Sequence, residues 1–198
     1  MIPVVAQPSD WICGGTAALA GSVGLILSRR YRGLVFGWLI AVAGLSAADL
    51  VPIVQREAGK CAAAWQHGDA KAVLTFLPPR VVTQSGGRAA ALRDLEDQFA
   101  EARAYGVERL EAKLGVPSKP RKIGRWLVSV VPLTAVLHCR HLAITQPTHA
   151  LALSTDQGKQ WTFFLLHDLS AAEFAAWFPD LAGKITLPAE PAAAFDVD

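Results

Sequence analysis

At Val107 the apolar residues of this chain change period, and that change restricts the folds open to it. Upstream the spacing is helical. From Ile53 to His67, apolar side chains recur at Val54, Ala58, Cys61, Ala62 and Trp65, which is one face of a helix. Gly68 ends that helix, Asp69 caps a second along DAKAVLTFL, and Pro78-Pro79 closes it. After Ser85-Gly86-Gly87 a third helix runs from Arg88 to Tyr105. Ala91 or Leu92, Leu95, Phe99 and Ala102 face inward, and Gly106 follows as a cap. Arg93, Glu96, Asp97, Glu101 and Arg103 fall on its outer face as solvated charges.

Downstream the period is two. VERLEAKLGV alternates, and RWLVSVVPLTAVLHC, HLAITQPTHALALS and QWTFFLLHDL follow as predicted strands. Pro132 inside the second predicts a bulge or an edge position, because it has no N–H for a ladder. Ser170 with Glu173 is a capping box opening a short helix that Pro179 closes. Helices ahead of an antiparallel meander specify the α+β class: three helices on a curved sheet of about four strands, then a short C-terminal helix. The domain is expected over residues 49–187, with a Pro- and Ala-rich tail at 188–198.

Residues 1–48 read as an export segment. Arg29-Arg30-Tyr31-Arg32 precedes an apolar run, LVFGWLIAVAGLSAA, that ends in small residues. Basic region, apolar region and small-residue cut site together form a secretory signal, with Asp49 first in the mature chain. Its distance from Met1 would fit a true start downstream of residue 28. Alternatively, the earlier stretch WICGGTAALAGSVGLILS pairs with the second as a membrane hairpin, leaving the arginines in the cytoplasm and a membrane contact through residues 12–53. Either reading delivers the domain outside the cytoplasm, as a periplasmic, extracellular or membrane-anchored protein.

Without the three arginines and Asp10 of that segment, 16 basic and 16 acidic residues remain, so no basic face for nucleic acid is expected. Cys61 and Cys139 are left to pair in an oxidising compartment or to stay as buried thiols. No small-residue lipobox precedes a cysteine.

The order of three helices and a curved sheet, with the GDAKAVLTFL helix, resembles the nuclear transport factor 2-like superfamily of cone-shaped α+β domains. DQGKQWTFFLLHDL through FPDLAGKITLP resembles exported bacterial members of unassigned function. That resemblance implies a cone that is either a non-catalytic binding module or a small isomerase or dehydratase, with no cofactor required. Fold alone does not choose between them.

Ser154-Thr155-Asp156-Gln157-Gly158-Lys159-Gln160-Trp161 matches the Asp-box pattern of sialidase-type propellers. Its physics is that of a turn: Asp156 accepts from backbone N–H groups, Gly158 takes positive φ, and Trp161 folds over the loop. It occurs once, without a propeller repeat, so Ser154, Asp156, Gly158 and Trp161 read as a structural turn.

Catalytic candidates are few. His149, in the apolar strand THALALS, is the polar residue best placed to reach the concave face, either as an acid–base group or as a core-edge histidine bonded to backbone. His138 and His141 face opposite sides of a strand, which disfavours a metal site. The pair His167-Asp168 reads as a turn. Trp65, Phe99, Trp126, His149 and Phe163 are expected to line an apolar pocket or to fill it. The expectation is an exported binding or interaction module for an apolar small molecule or a protein partner. The alternatives are a small cofactor-independent enzyme and a homodimerisation domain.

Overall fold

The computed structural model describes residues 50–167, 169–189 and 194–197. Residues 1–48, expected from the sequence as an export segment, and Asp168 lie outside them, and no helix among the described residues is long and apolar enough to cross a membrane.

Four helices come first: α1 (Val51–Gln66), α2 (Ala70–Phe76), α3 (Pro79–Gln84) and α4 (Arg88–Ala104). Gly68, at φ 64°, takes the positive φ that reverses the chain after α1. The Asp69 carboxylate then accepts the Ala72 N–H at 3.0 Å to cap α2. The short helix α3 was not expected. Pro78-Pro79 closes α2, but Pro79 also sits in the first turn of α3, where its missing N–H costs nothing.

The sheet follows: β1 (Val107–Leu114), β2 (Arg121–Ile123), β3 (Trp126–Cys139), β4 (Leu142–Ser154), β5 (Thr162–Leu165) and, after the helix α5 (Ala171–Trp177), β6 (Ala194–Val197). It is curled and antiparallel, with the four-strand path β1-β3-β4-β5; β2 adds to β3 and β6 to β4. The expected strand count therefore covers the main path, and the two short strands extend it. The residues expected as a tail return to the sheet, with Ala194–Val197 paired to Leu142–Thr145.

Pro132 is neither at a bulge nor on an edge strand. β3 is central, and its ladder to β4 runs unbroken from Leu127–Ser154 to Cys139–Leu142. The missing N–H faces the other side, where β1 has stopped pairing at Leu114, and the Pro132 carbonyl still accepts Gly115 N–H at 2.8 Å. The chain then continues along that flank through Ser118. Its N–H bonds to Val130 O (2.8 Å) and its hydroxyl accepts Val130 N–H (2.9 Å), before β2 resumes regular pairing. Proline is tolerated where the strand is locally unpaired on one side.

Side-chain alternation gives the sheet two buried faces. Val131 and Ala152, with Phe163, meet Val54, Ala58 and Cys61 of α1. Trp126, Val128, Leu151 and Leu153 meet Phe174, Phe178, Leu181 and Ile185 of α5 and the segment after it. On that second face Phe164 stands edge-on to Phe178, with ring centroids 5.0 Å apart. The Ser170–Glu173 capping box starts α5, with the Ser170 hydroxyl and N–H both donating to Glu173 Oε2.

Candidate functional site

The helical face of the sheet is incompletely filled. Between α1, α3, α4 and the sheet lies a partly open, apolar cavity of about 430 Å³. Its origin is visible in the sequence of its walls. Six alanines line it: Ala58 and Ala62 on α1, Ala91 on α4, and Ala112, Ala135 and Ala150 on β1, β3 and β4. Ala112 and Ala135 are direct cross-strand partners, so the floor is flat where the helices would need bulk to close on it. Larger side chains (Trp65, Leu77, Val81, Leu133 and Phe163) stand around this depression as walls. Protein interiors are ordinarily filled to near crystal density, so a void of this size between well-formed elements is an exception.

Four groups interrupt the apolar lining: Cys61, Ser85, Asp94 and Gln98. Asp94 and Gln98 are solvent-exposed, and so is Leu165 at 46 %. They mark the mouth. The Asp94 carboxylate has no hydrogen bond and no ion pair among the described residues. The Cys61 thiol is inside, and burial pushes its pKa up to about 12, so it stays protonated at neutral pH.

Of the five expected pocket residues, the structure brings two to the cavity, Trp65 and Phe163. Phe99 lies behind the wall, where it holds Trp65 edge-on at 5.1 Å. Trp126 belongs to the opposite face of the sheet, within the α5 core. His149 is on that opposite face as well: it pairs with the exposed Pro132 and shares the parity of Leu151 and Leu153, while its neighbour Ala150 lines the cavity. Its Nδ1 is buried without a hydrogen-bond partner among the described residues, and its carbonyl accepts Leu166 N–H. The catalytic placement of His149 in the cavity wall is thus corrected by strand parity.

Cys61 and Cys139 are both free. Cys61 packs near Val131, whereas Cys139 ends β3 eight residues further on, about 26 Å along the strand. A disulfide between them is out of reach. His138 bonds Arg109 (3.2 Å) and approaches Glu111 (3.6 Å) on the exposed side of β1, and among the described residues no cluster of metal-binding groups forms.

The Asp-box turn joins β4 to β5 and forms a closed network. Asp156 Oδ1 accepts the Ser154 hydroxyl (2.8 Å) and the N–H groups of Lys159 (3.1 Å) and Gln160 (3.0 Å). Gly158 N–H donates to the Ser154 hydroxyl at 2.9 Å, and the Trp161 indole N–H donates to Gly158 O at 3.0 Å. Gly158 and Trp161 together seat Leu50, which is 3 % exposed, at the start of α1. The turn serves the site indirectly, by fixing the helix that supplies Ala58, Cys61, Ala62 and Trp65.

Asp94, Gln98 and Ser85 were missed in the sequence. For Asp94 and Gln98 the signal was periodic: they fall three and seven residues after the buried Ala91, at the edge of the stripe that faces the sheet. No protein-family model, curated protein or solved structure matches this chain.

Proposed function

We propose that this domain binds an apolar small molecule in the cavity between its helices and its sheet. The observation that carries this reading is the set of six facing alanines, which keeps about 430 Å³ open inside an otherwise closed core. That volume lies in the range of small-molecule sites. Burying one methylene there is worth about 0.8 kcal/mol, so an alkyl chain offsets the cost of association once several carbons are enclosed.

Binding is favoured over turnover by the chemistry of the wall. Its ionisable groups are Cys61, held protonated, and Asp94, exposed at the mouth. The helix-then-sheet order with a cavity between the layers supports grouping the fold with the nuclear transport factor 2-like domains. Arg29 to Arg32 and the apolar run to Ala48 support delivery of the domain to the far side of a membrane.

The test is a fluorescence titration with the neutral apolar dye Nile red, using the wild type and Ala135→Phe. The added ring extends from the cavity floor at the point where Ala135 pairs with Ala112. Saturable binding that Ala135→Phe abolishes, without loss of thermal stability, is expected. Equal dye binding by both proteins would refute the reading.

A further inference from the structure

The mouth of the cavity has a sign. Among the residues that line it, Asp94 alone carries a formal charge, and it forms no ion pair among the described residues. On α4 the exposed residues nearest it around the helix have the same sign. At about 100° per residue, Glu101 falls about 20° and Asp97 about 60° from Asp94 around α4. Arg93 and Arg88 fall about 100° and about 120° away by the same count. Asp97 and Glu101 are both exposed and neither forms an ion pair among the described residues. Gln98 and Ser85 add neutral hydrogen-bonding groups around the same opening.

Resting on the cavity as a binding site, we propose that its ligand is a cationic amphiphile: an alkyl chain in the cavity and an ammonium-type head at Asp94. An apolar interior accepts chains of any head group equally. Discrimination must therefore come from the mouth, where an anionic head would face Asp94 with no compensating cation in the lining. Gln98 can accept a hydrogen bond from the ammonium through its amide oxygen, and so can the Ser85 hydroxyl. The exposure of Asp94 limits the effect: an ion pair at such a site is weak and screened by salt. Reversing the sign of the head group exchanges attraction for repulsion, and a preference of about fivefold at low salt follows from that scale.

The experiment displaces Nile red from the full domain with dodecylammonium, dodecanol and dodecanoate, each below its micellar concentration, and repeats the series with Asp94→Asn. Dodecylammonium is expected to bind about fivefold more tightly than dodecanoate, with dodecanol between them. Asp94→Asn should bring the three affinities together, and raised salt should do the same in the wild type. Equal affinities in the wild type, or a preference that survives Asp94→Asn, would overturn the charge assignment and leave the cavity reading intact. Failure of all three to displace the dye would overturn the cavity reading itself.

Discussion

Replacing Gly158 by alanine tests the seat that the Asp-box turn provides for α1. Gly158 has φ of 87°, a conformation that costs an L-residue about 1–2 kcal/mol. A Cβ there would lie 2.8 Å from Leu50 Cδ2, 3.4 Å from Leu50 Cδ1 and 3.6 Å from the Trp161 ring. Leu50 is 3 % exposed and has little room to yield, so overpacking adds about 1–2 kcal/mol. The sum is about 2–4 kcal/mol, which in a domain of this size lowers Tm by about 5–15 °C. Leu50→Ala divides the sum. In that background the steric part vanishes and Gly158→Ala should cost only the backbone part, a coupling of about 1–2 kcal/mol in a double-mutant cycle. The assay is thermal unfolding of the four proteins followed by circular dichroism. A Gly158→Ala protein within about 1 °C of wild type, or zero coupling with Leu50→Ala, would refute the seat.

The same turn predicts a pH dependence. Partial burial of Asp156 opposes its ionisation, but hydrogen bonds from Gln160 N–H, the Ser154 hydroxyl and Lys159 N–H outweigh it and lower its pKa. A depressed carboxylate contributes stability above its unfolded pKa and loses it as pH falls through the folded value. Asp156→Asn should therefore be less stable than wild type at neutral pH, with the gap closing in strong acid; a pH-independent gap in urea midpoints would contradict this. Thiol labelling followed by peptide mapping should modify the half-buried Cys139 readily and Cys61 slowly in the native protein, with both free before reduction. Equal rates would show that α1 does not hold Cys61 against the sheet. Phe178→Ala, in the face opposite the cavity, should lower stability by about 3–5 kcal/mol while leaving dye affinity unchanged. Loss of dye binding in the folded variant would mean that the two faces of the sheet are not independent.

The fold class was legible because period and punctuation agreed. The apolar stripe of α1, the Asp69 cap, the Ser170–Glu173 box and the alternation of β3 and β4 each follow from local chemistry. The failures have local causes too. Pro79 both ends α2 and begins α3, since one residue type suits both positions. Pro132 looked like an edge signal because the sequence does not reveal where β1 stops.

The site was less legible. Aromatic residues attracted the pocket prediction, yet Trp126 fills the α5 core and Phe99 buttresses Trp65. The cavity is defined instead by alanines, whose significance depends on what stands opposite, and that is tertiary information. Strand parity relative to Ala150 would have placed His149 on the far face, but only once the inward face of β4 was known.

The most direct measurement is a methyl-resolved carbon–proton NMR titration of the domain with dodecanol. A ligand in the cavity shifts Leu77, Val81, Leu95, Leu110, Leu114 and Leu133 around it, and leaves Leu151, Leu153 and Leu181 on the opposite face unmoved. Shifts centred on the Leu151 face, or no saturable shifts at all, would contradict binding there.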